Sequence, residues 1–269
     1  MGSSINQQKF VNSLHVKKYR EQAGAFIAEG DKIVGELLQQ DRMEWTALYA
    51  VQEWMEKNDR LIRPFLSKTT VVTPSEMKKI STLTTPQSVL AVVKMPADDL
   101  PLVTDAVCLY LDGIQDPGNL GTILRTADWF GIGAVYCSPD CADAYNSKTI
   151  QAGMGAFLRV PVREIALEVL LAAHPQRTVW GAVLEGTPLQ SARFGSNDLV
   201  VIGNEGRGIR PETMRFVTHP VTILRHPDSR AAVAETWSYY DCINFADKIQ
   251  CPIIVNIGLQ DNVCPPETG

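Results

Sequence analysis

The sequence predicts an α/β protein in two parts, a small α/β unit over residues 1–95 and a parallel-sheet domain over residues 106–224. Three observations carry this expectation. Beyond residue 105, continuous apolar strands alternate with helical stretches, the pattern of a parallel sheet covered on both faces. Two glycine-bearing polar loops each follow one of those strands directly, at the strand ends where such sheets hold ligands. Between the two parts, MPADDLPLVTD is rich in acids and proline and poor in apolar residues. It reads as a linker, placed at 96–105.

The elements follow in chain order. Residues 5–40 show helical spacing, with Phe10 and Leu14, then Phe26, Ile27, Ile33, Val34, Leu37 and Leu38. Gly30 interrupts the run, and Asp31 is the expected N-cap of the helix after it. Short strands are expected at Thr46–Val51 and Thr70–Val72, with a charged helical stretch between them. Thr73-Pro74-Ser75-Glu76 has the form of a helix start, and the apolar strand Ser88–Val93 closes the unit near Lys94. After the linker come strands Ala106–Leu111, Ala134–Cys137, Val179–Val183, Leu199–Ile202 and Val221–Leu224, with a helix from about Leu120 to Phe130. No internal repeat is visible.

Composition bounds the function. With 269 residues, 45% of them hydrophobic and 20% charged, the chain has the balance of an ordinary globular protein long enough for two cores. No apolar run approaches the ~18 residues of a membrane span. The N-terminal MGSSINQQKF lacks the apolar stretch of a secretory signal, so a cytoplasmic location is expected. The six cysteines form no C-x-x-C pair and the four histidines lie far from them. Reduced thiols and no metal site are therefore expected. A net charge of −5 excludes coating of nucleic acid by bulk electrostatics. Locally, however, Lys9, Lys17, Lys18 and Arg20 all precede the first acid, Glu21, and offer a short basic face for phosphates.

The chemistry is expected in the two loops. LDGIQDPGNLGTILRTADWFG, at 111–131, runs from a strand end through a turn into a helix that carries Arg125. IGNEGRGI, at 202–209, also follows a strand, and its glycines let backbone approach a ligand closely. Neither loop has the glycine order of a dinucleotide fingerprint or the Gly-Lys-Ser/Thr ending of a Walker loop.

PGNLGTILRTADWFG resembles the first signature of the SpoU/TrmH RNA methyltransferases, P-x-N-x-G-x-I-x-R-T-A-x-x-x-G, and IGNEGRGI resembles their second. AGMGAFLRVPV (152–162) and LEGTPL (184–189) are similar to the stretches between them. KKYREQAGAFIAEG resembles the small RNA-recruiting domain that precedes many of these catalytic domains. The likeness spans about residues 5–224. It implies a catalytic domain of the SPOUT, trefoil-knot type that works as a homodimer. The implied reaction is methyl transfer from S-adenosylmethionine to a ribose 2′-hydroxyl of ribosomal or transfer RNA.

By the same resemblance Arg125 is the central catalytic residue, Asn119 orients it or the ribose, and Glu205 pairs with Arg125. The cofactor cradle falls on Leu184, Gly186, Ile202, Gly203, Asn204, Gly206, Gly208 and Ile223, and RNA on Lys9, Lys17, Lys18 and Arg20. An arginine is very hard to deprotonate, so Arg125 is expected to hold phosphate or alkoxide rather than to act as a base. A catalytically silent RNA-binding protein is the alternative from another class.

The ending departs from that family. Where its third signature should follow the strand Val221–Leu224, the chain reads LRHPDSRAAVAETWSYYDCINFADKIQCPIIVNIGLQDNVCPPETG. Residues 225–269 resemble instead the last part of an acetyl xylan esterase, with Asp261 in the position of a triad acid. The chain has no G-x-S-x-G elbow and no histidine after His226, so esterase activity is not expected. The knot-forming segment is thus replaced, which puts cofactor affinity in doubt. Trp237, Tyr239, Tyr240 and Ile253–Ile257 are expected to pack against the body or to stay poorly ordered.

Overall fold

The computed structural model describes residues 2–97 and 102–222. The expectations for Ile223, the knot segment and the tail lie outside those residues. The chain forms two sheets, one on each side of the predicted linker, and the strand and helix alternation beyond residue 106 is present as expected.

The first part runs α1 (Ile5–Ser13), α2 (Lys17–Ala23), β1 (Ala25–Glu29), α3 (Asp31–Leu37), β2 (Trp45–Val51), α4 (Gln52–Lys57), α5 (Asp59–Ile62), a 3-10 turn (Arg63–Lys68), β3 (Thr69–Val72), α6 (Pro74–Ile80) and β4 (Val89–Lys94). Its sheet has the order β1-β4-β2-β3, with only the β2–β3 pair parallel. One sheet face packs under α1 and α6 through Val11, Leu14, Met77 and Ile80. The other packs Phe26, Leu48 and Val93 against Leu37, Trp54 and Ile62.

Two local expectations are corrected. Ala25–Glu29 is a strand, not a continuation of helix. All five of its residues are buried, so neither face is polar and no alternation marks it. Asp31 is not the cap of α3. Gly30, at φ 112°, takes that position, and the Asp31 carboxylate accepts a hydrogen bond from the Trp54 indole at 2.6 Å. The helix start at Thr73 is present as read. Its hydroxyl accepts from the Glu76 amide and the Glu76 carboxylate accepts from the Thr73 amide, a complete capping box.

The second part runs β5 (Cys108–Asp112), α7 (Pro117–Trp129), β6 (Ala134–Cys137), α8 (Ser147–Gly153), a 3-10 turn (Ala156–Leu158), β7 (Val162–Glu164), α9 (Leu167–Ala173), β8 (Val179–Pro188), β9 (Leu199–Gly203), α10 (Pro211–Met214) and β10 (His219–Thr222). Its six strands lie in the order β10-β8-β9-β5-β6-β7 and every pair is parallel. The chain leaves β5 toward β6 and leaves β9 toward β10, so the order reverses between these two neighbours. That reversal opens a crevice at their carboxyl ends.

Helix α7 begins at Pro117, three residues before the expected start, because the Asp116 side chain caps it by accepting from the Asn119 amide at 2.9 Å. α7 lies directly on α8 at Gly121, where a Cβ would fall 2.6 Å from both the Ala152 Cβ and the Thr149 carbonyl oxygen. Gly121→Ala is therefore expected to force the two helices apart and cost about 1–3 kcal/mol. A denaturation midpoint equal to that of the parent chain would contradict this packing.

The two parts are held together along α8 and the turn after it. Ile150, Phe157 and Leu158 complete the apolar cluster that contains Phe26, Leu37 and Val93. The Phe26 ring meets those of Tyr145 and Phe157 at 4.7 and 5.3 Å. The Gln151 amide donates to the Glu29 carbonyl at 2.9 Å.

Candidate active site

Asp112 ends β5 with its carboxylate fully buried, at 0% exposure. A charge in that position needs a partner, and Arg210, just after the second glycine loop, supplies it. The Arg210 main-chain amide donates to Oδ2 at 2.8 Å, and its guanidinium reaches Oδ1 through Nε at 2.9 Å and Nη2 at 2.5 Å. The guanidinium also meets Asp140 at 3.2 Å. Its hydrogen bonds to the Asp112 carboxylate raise the Arg210 pKa above the usual arginine range. Asp140 is held below the ordinary carboxylate value, first by the Ser138 hydroxyl and then by Arg210. The two strand ends are thus clamped by charge.

The second loop folds against the first. The Asn204 amide donates to the Gly113 carbonyl at 2.9 Å, and its side-chain oxygen accepts from the Gly206 and Arg207 amides at 3.0 and 3.3 Å. Asn204 and Gly208 exchange main-chain hydrogen bonds at 3.1 and 2.8 Å. Gly203 lies so close to the Gly208–Ile209 backbone that a Cβ would overlap it. The loop can close only without a side chain there.

The Asn119 amide donates to the Glu205 carboxylate at 2.5 Å, a contact spanning 86 residues of sequence. The structure therefore brings together the two loops singled out from sequence. Glu205 does not pair with Arg125, and that expectation is corrected. Arg125 lies six residues beyond Asn119, about 9 Å along α7 and roughly a third of a turn around it. It is exposed, and among the described residues it has no hydrogen-bond or ion-pair partner. An unpaired guanidinium of this kind is free to take a phosphate or an oxyanion.

The residues expected around a cofactor gather at the ends of β8 and β9. β10 pairs with β8 on either side of an excursion, its register passing from Gly181 to Thr187 between Pro220 and Val221. That excursion carries Leu184, 83% exposed, and Gly186, which packs against the Pro220–Val221 backbone. The Thr222 hydroxyl donates to the Leu184 carbonyl at 3.0 Å. The Ile202 side chain is core, packed with Leu111 and Val200, so only its main chain faces the crevice. The exposed apolar side chain of Leu184 offers a surface suited to a flat heterocycle. The residues present fit a cofactor held mainly by main chain.

Of the basic N-terminal residues, Lys9 and Lys18 are exposed as expected. Lys17 meets Glu21 and Glu164 at 3.7 and 3.4 Å on the surface. Arg20 is not open to a phosphate. It is 3% exposed, donates to the Leu14 carbonyl at 2.8 Å, and forms a buried ion pair with Asp143 that ties the two parts together. A cavity of about 440 Å³ lies beside that pair, lined by residues such as Met95, Tyr136 and Arg163, and it shares no lining residue with the two loops.

Asp112 and Arg210 were not singled out from sequence, although a charged residue ending an otherwise apolar strand is a signal for a clamp of this kind. Cys141 is a second addition. Its thiol is pushed down to about 7, chiefly by hydrogen bonding with Cys137. Alkylation of Cys141 is expected to rise with a midpoint near pH 7, and a midpoint near the ordinary value of 9.0 would contradict this environment.

Residues 106–231 match the SpoU rRNA Methylase family and residues 6–91 the MRM3-like substrate binding domain. Residues 216–269 match the acetyl xylan esterase family. The chain is 32% identical over 214 residues to the 23S rRNA (guanosine(2553)-2'-O)-methyltransferase RlmP of Bacillus subtilis, covering 77% of this chain and 83% of that one. A structure of the TrmH family from Porphyromonas gingivalis superposes with a TM-score of 0.77 at 36% identity, over 91% of this chain and 98% of the other. The SpoU methyltransferase AviRb of Streptomyces viridochromogenes, solved with AdoMet, shares the fold with a TM-score of 0.74 at 21% identity, over 91% and 98%. With a relative of this identity over most of both chains, the protein belongs to the SpoU rRNA methylase family.

Proposed function

We propose that this chain transfers a methyl group from S-adenosylmethionine to a ribose 2′-hydroxyl of RNA, with ribosomal RNA as the substrate favoured by its relatives. The observation that carries the reading is the junction of Asn119, at the start of α7, with Glu205, in the loop after β9. With the two loops joined, we read Arg125 on α7 and the glycine turn after β9 as serving one crevice. The cofactor supplies a methyl already activated by its sulfonium charge. The protein must then place one hydroxyl in line with that methyl and stabilise the negative charge growing on oxygen. Arg125 holds that oxyanion or the adjoining phosphate, and Asn119, fixed by Glu205, orients the ribose. Leu184, Gly186, Asn204, Gly206 and Gly208 line the cofactor, with the main chain of Ile202 and Gly203 beneath. Ile223 is assigned there by position in sequence alone.

Residues 1–95 recruit the RNA and residues 106–224 perform the transfer, joined by the linker at 96–105. The outer layer of the first sheet supports this division. Lys9 on α1 and Lys78 and Lys79 on α6 are exposed on the helices that cover one face of the sheet, and Lys18 is exposed on the neighbouring α2. This layer is locally basic in a chain of net charge −5. Replacing Lys9, Lys18, Lys78 and Lys79 by Glu is expected to weaken RNA binding. The slope of log K against log salt should flatten by roughly 0.7–0.9 for each phosphate no longer neutralised. An unchanged salt slope in filter binding would contradict this face.

The enzyme works as a homodimer in the cytoplasm. Arg125 and Trp129, one turn apart and both exposed on α7, form a face open to a second copy. Light scattering that returned a monomer at micromolar concentration would contradict the dimer. Among the described residues no helix is long and apolar enough to cross a membrane.

The test of the function is transfer of labelled methyl to ribosomal RNA followed by alkaline hydrolysis. A methylated ribose lacks the 2′-hydroxyl that alkali needs to cut the next phosphate. Label is therefore expected in alkali-resistant dinucleotides, and label in free mononucleotides, or none, would overturn the reading.

A further inference from the structure

Arg159 sits just after the 3-10 turn Ala156–Leu158 and touches both parts of the molecule. Its Nε donates to both carboxylate oxygens of Asp128, at 2.8 and 2.9 Å, and its Nη2 reaches Oδ2 at 2.7 Å. Its Nη1 forms an ion pair with Glu36. Asp128 belongs to α7, three residues beyond Arg125 and so nearly one turn along the same helix. Glu36 belongs to α3 of the first part. One planar guanidinium, whose donors point in fixed directions, thus spans from the RNA-recruiting part to the helix that carries the catalytic arginine.

The neighbouring contacts make this a defined joint rather than a passing surface pair. Gln151 on α8 holds the Glu29 carbonyl, and the Arg20–Asp143 pair is buried. α8 is in turn locked to α7 at Gly121. The apolar part of the interface fixes the separation of the two parts. Arg159 bridges a side chain of α7 to a side chain of the first part.

We propose that Arg159 is a positioning residue, which holds the RNA-recruiting part in register with α7 so that RNA bound by the first meets Arg125 on the second. The inference rests on the methyl-transfer reading above. A displacement of about an ångström at a reacting centre is enough to cost up to two orders of magnitude in rate, whereas the affinities of the two separate binding surfaces need not change.

The experiment compares the full chain with Arg159→Ala, Glu36→Gln and the double variant. Arg159→Ala is expected to lower kcat on ribosomal RNA on the order of tenfold, with cofactor Kd and RNA Kd unchanged within about twofold. Glu36→Gln is expected to lower kcat less, and the double variant to match Arg159→Ala, because the two changes break one connection. Unchanged kcat per folded molecule, or additive losses in the double variant, would overturn the proposal. If the parent chain transferred no methyl at all, the functional reading would fail first. Hydrogen exchange would then decide the joint, since Glu36→Gln is expected to speed exchange of the last-turn amides of α7, and identical protection there would overturn it.

Discussion

Arg210→Ala is expected to destabilise the catalytic part by about 3 kcal/mol, near the lower end of what breaking a buried ion pair costs. The Asp112 carboxylate is fully buried, and Arg210 provides three of its hydrogen bonds. One of these comes from the main chain and survives the substitution. The Arg210 side chain is 35% exposed, so water can reach the vacated space and soften the loss. What remains is a carboxylate at the end of a central strand with too few partners. The same substitution loosens the hold of the end of β5 on residues 204–209, which keep the Arg210 main-chain bond and the Asn204–Gly113 bond, so cofactor affinity should fall together with stability. Denaturation followed through the buried Trp180, which donates to Asp198 at 2.6 Å, reads the first effect. Asp112→Asn combined with Arg210→Ala should recover part of it, because the uncompensated charge is gone. A stability equal to that of the parent chain would show that the clamp does not hold the two strand ends.

Arg125→Ala should behave in the opposite way. Its side chain is exposed and has no partner among the described residues, so stability should change by no more than about 0.5 kcal/mol. Activity should fall about 100- to 1,000-fold, as expected when a donor to a developing oxyanion is removed. Arg125→Lys keeps the charge but not the forked geometry and should recover only part of the rate. If the alanine variant were as active as the parent, Arg125 would not be the group that faces the reacting oxygen.

The contrast between these two arginines shows what sequence patterning can and cannot reveal. Arg125 and the glycines of 203–208 could be singled out because their signal is local: a glycine turn directly after an apolar strand places backbone at a sheet edge. Arg210 lies one residue beyond the second of those loops, yet its partner is 98 residues away. Nothing local distinguishes it from an ordinary turn arginine. Arg20 failed as a phosphate ligand for the same reason. The run of basic residues around it is visible in sequence, while Asp143, 123 residues away, is not. Glu205 was expected to meet Arg125, and it meets Asn119 instead. Spacing brings Asn119 and Arg125 onto one helix but does not say which of them the opposite loop meets.

The fold shows a similar division. The parallel half was legible because its buried strands are separated by unmistakable loops. β1 was not, because five consecutive buried residues carry no period that separates strand from helix. It was its antiparallel register with β4, from Ala25 opposite Lys94 to Glu29 opposite Leu90, that fixed its identity. The departure of residues 225–269 from the family pattern was visible in the residues themselves, and that stretch also matches a second family.

The most direct test of the central claim is a calorimetric titration of S-adenosylmethionine into the full chain and two variants. Saturable binding is expected for the parent and for Arg125→Ala. Binding should be much weaker for Leu184→Asp, whose side chain is exposed on the β8 excursion and is not needed for packing. Absence of binding by the parent chain at high micromolar cofactor, or full affinity in Leu184→Asp, would contradict a methyl donor held between the ends of β8 and β9.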